Sequence, residues 1–300
     1  MFDTDDLLPR LDCSGRALLL DRPRIMGVVN CTPDSFSDGG ALGDLDAALR
    51  HALRLVEEGA DIIDIGGEST RPGAAAISVQ EELDRTVPLV ERLAAESPVP
   101  ISIDTSKPEV MRAAVAAGAG LINDVWALRR EGALEAAAAL GVPVCLMHMQ
   151  GEPGHMQDAP HYTDVVAEVA RFLADRVFAC ELAGIPRARL LVDPGFGFGK
   201  RHEHNVALMA ALRDLTQTLP PLLVGVSRKS MIGELTGRPV CQRVTGSVVA
   251  AVLAAQRGAR ILRVHDVAAT RDGLAVLAGL PARTSGASPR SKAPVWPDED

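Results

Sequence analysis

Eight short apolar runs, each closed by a polar or glycine-rich loop, constrain this chain more than any other feature. They are Ile25–Val29, Ile62–Ile65, Ile101–Ile103, Leu121–Ile122, Val142–Met147, Leu190–Val192, Leu222–Val224 and Ile261–Val264. Helical stretches are expected between them, as at Asp44–Glu58, Val79–Ala95, Pro108–Ala117, Tyr162–Ala183, Val206–Leu215 and Thr245–Arg257. Glycines close several of these (Gly59, Gly118, Gly184, Gly258), and Pro108 suits a helix start, where its missing N–H is no loss. Alternating strands and helices predict a parallel sheet with crossover helices. Eight such units fit an α/β fold of the (β/α)8 TIM-barrel type. A doubly wound sheet has fewer strands and a switch point that this pattern does not show.

Composition agrees. Hydrophobic residues make up 47% but aromatics only 3%, so the core is built from Ala, Val, Leu and Ile, as buried parallel strands under small-residue helices require. Residues 1–23 read as an N-terminal extension or hairpin, 24–281 as one barrel, and 282–300, rich in Pro, Ser, Lys and Asp, as a disordered tail. The net charge of −8 argues against general affinity for nucleic acid or an anionic membrane. The five cysteines are scattered without a C-x-x-C pair, which argues against structural disulfides and a zinc site. The acidic N-terminus has no apolar signal region and no apolar run is long enough to span a bilayer, so a cytoplasmic protein is expected.

In a barrel of this kind chemistry gathers at the C-terminal strand ends. Here those ends carry unusual residues. Asn30 closes the first strand, and its carbonyl suits a hard cation such as magnesium. The loop after it, 31–40, exceeds the usual 2–6 residues; Asp34 and Asp38 suit turns, and Phe36 suits a loop that covers a substrate. The second loop, Gly66–Gly73, offers Arg71 for a carboxylate or phosphate, or is simply a solvated turn. Asp104, Asn123 and Asp124 at the next two ends could pair with a flat heterocycle bearing donors and acceptors. Asp104 as a helix cap is the competing reading, but Thr105 and Ser106 could cap equally well.

His148 reads as a hydrogen-bonded structural residue, and His202 and His204 as surface residues. The run Gly195–Lys200 is neither G-x-G-x-x-G nor a phosphate loop, because Arg201 follows Lys200. Its valuable residue is Asp193, with the glycines shaping the loop around a ligand. Lys229 and Arg263 then place positive charge on neighbouring strands.

Eight segments together resemble the dihydropteroate synthase family, the sulfonamide-target enzymes of folate biosynthesis. They are MGVVNCTPDSFSDGG, DIIDIGGESTRPG, ISIDT, INDV, LMHMQG, DPGFGFGK, GVSRKS and RVHDV, in the family's order from about Ile25 to about Val276. The resemblance implies a (β/α)8 barrel and a transferase that joins 4-aminobenzoate to (7,8-dihydropterin-6-yl)methyl diphosphate. By similarity, Asp104, Asn123 and Asp193 hold the pterin edge, with Lys229 at the ring's polar face, and Phe198 is a further substrate-binding residue. Arg263 stacks on the ring and, with His265, binds diphosphate, while Asn30 ligates Mg2+. Phe36, Thr70, Arg71, Pro72 and Ser227 form the aminobenzoate site. Asp38, Arg71, Lys229, Arg263 and His265 are the implied catalytic residues. Pterin-dependent methyltransferases acting with a corrinoid partner use the same barrel, and a non-catalytic pterin binder is a further alternative; the S-R-K and S-T-R-P segments favour the synthase. The family's homodimer makes an interface through Val244–Arg257, apolar over much of its circumference, an expectation.

Overall fold

The computed structural model describes residues 10–31, 40–69, 73–152 and 154–280. The described residues begin with an antiparallel hairpin, β1 (Arg10–Cys13) and β2 (Arg16–Leu19). Its turn residues Ser14 and Gly15 both have positive φ, which matches the right-handed twist of the two strands. Leu11, Cys13 and Leu18 point inward, and with Leu20 they pack on Met26, Ile62, Leu121, Cys145, Leu191, Leu223 and Ile261. Those seven residues lie in seven different barrel strands, so the hairpin covers one end of the barrel and leaves the other for chemistry.

The barrel strands are β3 (Arg24–Asn30), β4 (Ile62–Gly66), β5 (Ile101–Asp104), β6 (Leu121–Asp124), β7 (Val144–Met147), β8 (Leu190–Asp193), β9 (Leu223–Val224) and β10 (Ile261–Val264). All neighbours are parallel, in the order β8-β7-β6-β5-β4-β3-β10-β9, and a bridge from Val192 to Leu222 brings β8 beside β9. This is the expected (β/α)8 barrel. β7 begins after Pro143, later than its apolar run, because proline has no N–H for the ladder.

Ten helices cover these strands among the described residues: α1 (Gly40–Glu57), α2 (Val79–Glu96), α3 (Pro108–Ala116), α4 (Ala133–Leu140), α5 (Val165–Leu182), α6 (His202–Ala210), α7 (Leu212–Thr218), α8 (Ser230–Thr236), α9 (Val244–Gln256) and α10 (Val267–Gly279). α2 shows why they form. Ser78 caps it by accepting the Glu81 N–H, and Glu82, Thr86, Leu89, Val90 and Leu93 recur on its buried face. Burying Leu89, Val90 and Leu93 stabilises the fold by roughly 1.5–3 kcal/mol each. α5 starts at Val165, later than Tyr162, because Asp164 accepts the N–H groups of Val166 and Ala167 and sets the cap there. The single helix expected over Val206–Leu215 is instead α6 and α7, divided at Ala211, with Leu208, Leu212 and Leu215 buried on both sides of the break.

Candidate active site at the C-terminal rim

Asn30, Gly66, Asp104 and Asn123 stand in one register across β3, β4, β5 and β6. Asp193 closes β8, and Arg263 lies in β10. The barrel therefore gathers at one rim six groups distant in sequence. Arg263 links two of the strands: its Nε donates to Asp64 Oδ2 at 2.6 Å and its Nη2 to Asp104 Oδ2 at 2.8 Å. Asn123 Nδ2 donates to the same Asp64 oxygen at 3.2 Å. Asp64 was not among the expected site residues, and its one sequence signal is a charge inside the apolar run I-I-D-I-G.

Burial pushes the Asp104 carboxyl up to about 7; Arg263 opposes the shift and Asp64 adds to it. Burial works against the charge of Arg263, but Asp64 and Asp104 outweigh it and hold the guanidinium above its ordinary value. Asp193 is also raised by burial, against the pull of Lys229, and its Oδ1 accepts the Gly195 N–H at 2.7 Å.

Lys229 precedes α8. Its Nζ donates to the Phe196 carbonyl and stands 4.8 Å from the Phe198 ring centre. Burial lowers its pKa to about 8, while Asp193 opposes the change. Phe198 itself packs beside Met147, Met149 and Met156. The neighbouring loops are tied together. Ser227 Oγ accepts the His265 N–H at 3.3 Å and lies 3.0 Å from His265 Nδ1. Between Ser227 and Lys229, Arg228 is held at φ 59° by a two-pronged pair with Asp266 at 3.0 and 2.5 Å. Such a backbone costs a non-glycine residue about 1–3 kcal/mol, and the surrounding contacts sustain it.

Several sequence readings change. Asp124 belongs to the fold, because it accepts from Ser106 Oγ at 2.5 Å and from the Trp126 and Leu128 N–H groups at 2.8 Å each. Ser106 is thereby used, Thr105 accepts the Lys107 N–H at 3.2 Å, and α3 has no side-chain cap at all. Asp104 is no cap either. The glycines after Asp193 serve loop packing first: a Cβ on Gly195 would lie 1.8 Å from the His148 carbonyl oxygen, and one on Gly199 2.3 Å from that of Gln150. Lys200 locks the same loop from inside. Its Nζ lies 2.8 Å from His148 Nδ1 and donates to the Gly195 and Phe198 carbonyls at 2.9 and 3.1 Å. Burial first, and Lys200 second, push His148 down to about 2, so it is a neutral structural imidazole at pH 7.

A second buried cluster escaped the sequence reading. Lys107 Nζ donates to Glu68 at 3.0 Å and to the fully buried Glu82, while Glu68 Oε1 accepts the Ile77 N–H at 3.1 Å. It joins the start of the second loop to α2 and α3. Asn30 ends β3 half-buried. Phe36, Asp38, Thr70, Arg71 and Pro72 lie outside the described residues, as do Asp34 and the tail 281–300. Among the described residues no group of three or more His, Cys, Asp or Glu side chains is placed to hold a metal ion, and no helix is long and apolar enough to cross a membrane.

A (β/α)8 barrel with carboxylates, an amide and two cations at its C-terminal rim defines an enzyme that binds a polar heterocycle. Residues 26–265 match the family of pterin binding enzymes, to which the chain belongs. Within it the chain is a member of the dihydropteroate synthases. It is 53% identical over 268 residues to the dihydropteroate synthase of Escherichia coli (strain K12), covering 89% of this chain and 95% of that one. It is also similar to the Xanthomonas albilineans dihydropteroate synthase solved with 4-aminobenzoic acid, with TM-score 0.87 and 64% identity over 91% of this chain and 98% of that one. A dihydropteroate synthase structure from the same organism in complex with 7,8-dihydropteroate gives TM-score 0.81 and 58% identity over 90% and 98%.

Proposed function

We infer that this protein condenses 4-aminobenzoate with (7,8-dihydropterin-6-yl)methyl diphosphate, giving 7,8-dihydropteroate and diphosphate for folate biosynthesis. The observation that carries this reading is the convergence of Asp104, Asn123 and Asp193 with Arg263 and Lys229 at one rim. Relatives have been solved with 4-aminobenzoic acid, one of these substrates, and with 7,8-dihydropteroate, the product, which supports the reading.

In our assignment Asp104, Asn123 and Asp193 accept from and donate to the pterin edge, with Phe198 on the wall beneath Lys229. The amine of 4-aminobenzoate is neutral at pH 7 and has a free lone pair, so no strong base is required. Its nitrogen bonds to the pterin methylene carbon as the carbon–oxygen bond to diphosphate breaks, and the nitrogen then loses a proton. The electron-rich dihydropterin stabilises positive charge on the methylene. Arg263, Lys229 and His265 are assigned to the negative charge that develops on the departing diphosphate. Ser227, Phe36, Thr70, Arg71 and Pro72 are assigned to aminobenzoate, and Asp38 to the catalytic set.

Magnesium fits this site as a partner of diphosphate, since Asn30 supplies one hard oxygen donor and Mg2+ commonly takes the rest from phosphate and water. Bound there, it would neutralise part of the diphosphate charge. We also propose a homodimer. A groove of ≈ 830 Å³ is lined by Met209, Met231, Leu235, Val249 and Leu253. α9 buries its small Ala250, Ala251 and Ala254 and leaves Val249 54% and Leu253 37% exposed, so a second copy would cover its larger side chains. Five free cysteines accord with a cytoplasmic setting.

Calorimetry with the dihydropterin diphosphate tests the reading: one site per chain is expected without aminobenzoate, tightened by Mg2+. No heat of binding at millimolar ligand would reject it.

A further inference from the structure

We propose that Asp64 is a positioning residue of the pterin half-site, which sets the plane of the Arg263 guanidinium and the direction in which Asn123 presents its amide. The proposal rests on the pterin-transfer reading above. Asp64 is the third residue of β4, two below the strand end, in register with Val28 and Ser102. Its side chain is fully buried. One oxygen, Oδ2, accepts from both Arg263 Nε and Asn123 Nδ2.

Two consequences follow from donor chemistry. An ionised carboxylate accepts and never donates, so Asn123 must turn its nitrogen towards Asp64 and leave Oδ1 on the opposite edge of the amide. Asp64 thereby decides which hydrogen-bonding pattern Asn123 offers a ligand. Arg263 is similarly committed. With Nε on Asp64 and Nη2 on Asp104, two carboxylates from adjacent strands fix a planar guanidinium that would otherwise rotate on a long side chain.

Asp64 also differs from the carboxylate that serves the fold. Asp124 accepts from two backbone N–H groups of its own turn and from Ser106. Both donors to Asp64 are side chains of the rim site, and its Oδ1 has no partner among the described residues. A buried carboxylate oxygen without a donor costs the fold stability. Ile62, Ile63 and Ile65 show what the same strand buries elsewhere. A charge at this position is therefore explained by what it orients.

The test is Asp64→Asn, which keeps the shape and removes the charge. Calorimetry with (7,8-dihydropterin-6-yl)methyl diphosphate alone should show affinity weakened by about tenfold to a hundredfold, the range for losing a charge-assisted bond at a desolvated site. The thermal midpoint should equal or exceed that of the wild type, and the KM for aminobenzoate should stay within about twofold. In an Arg263→Lys background the same change should cost clearly less than in the wild type, because the group it orients has lost its fork. Unchanged affinity in Asp64→Asn, losses that multiply in the double variant, or a lowered thermal midpoint with both substrates affected would each overturn the proposal. Wild-type protein that fails to bind the probe would instead reject the pterin-transfer reading on which it stands.

Discussion

Gly195→Ala isolates the packing that holds Asp193 in place. Gly195 has φ +70°, and a Cβ there would fall 1.8 Å from the His148 carbonyl oxygen. The left-handed backbone alone costs a Cβ-bearing residue roughly 1–2 kcal/mol. Relieving the clash requires the loop to move by roughly an ångström, away from a segment that Lys200 ties on both sides through His148 and the Gly195 and Phe198 carbonyls. Losing one of those bonds in the buried loop adds about 1–3 kcal/mol, so the total is about 2–5 kcal/mol. Gly184→Ala is the control. Gly184 has φ +87° with nothing within 4 Å of a Cβ, so it carries only the backbone cost. Equilibrium urea denaturation of both variants, fitted with a common slope, should place Gly195→Ala below Gly184→Ala by at least about 1 kcal/mol. Pterin affinity should fall only in Gly195→Ala, because that N–H anchors Asp193 at 2.7 Å. Equal denaturation midpoints in the two variants would refute the steric argument.

Lys229→Ala should lower kcat by more than about tenfold. Because Lys229 is held down to about 8, wild-type turnover should fall as the lysine deprotonates above that pH, and the variant should lack this limb; unchanged kinetics in the variant would remove Lys229 from the site. Asp104 is raised to about 7 and accepts from the pterin more strongly when ionised, so pterin affinity should rise with pH through that value, and a flat calorimetric profile from pH 5 to 8 would contradict its role. Asp193→Asn should weaken pterin binding and leave the KM for aminobenzoate nearly unchanged; wild-type pterin affinity in that variant would exclude edge recognition. Val249→Asp should convert a dimer to a monomer in light scattering at micromolar concentration, and a wild-type monomer would reject the proposed interface.

The barrel was legible because parallel strands buried on both faces read as continuous apolar runs. All eight were visible, including Leu222–Val224, which keeps only two residues in its ladder. α4, α8 and α10 were not among the helices named from sequence; α4 and α8 have only 8 and 7 residues, too few for a strong period. At the rim, Asp104, Asn123 and Asp193 are legible as polar residues that end or nearly end apolar strands, Lys229 as a cation in the loop beyond β9, and Arg263 as the charge that follows the apolar pair Ile261–Leu262. Asp64 is not, since it lies inside its strand and gains meaning only when Arg263, 199 residues later, folds beside it. Lys200 and the Lys107–Glu68–Glu82 cluster stayed hidden for the same reason. The left-handed Ala127 and Leu128 give no local signal either, because their strain is sustained by contacts from Asp124 and Arg176.

The most direct test of the account is product formation. Purified protein should convert 4-aminobenzoate and (7,8-dihydropterin-6-yl)methyl diphosphate to equal amounts of 7,8-dihydropteroate and diphosphate, with the rate lost on chelation and restored by Mg2+. Absence of dihydropteroate from protein that binds the dihydropterin diphosphate would contradict catalysis at this rim and leave a pterin-binding protein in its place.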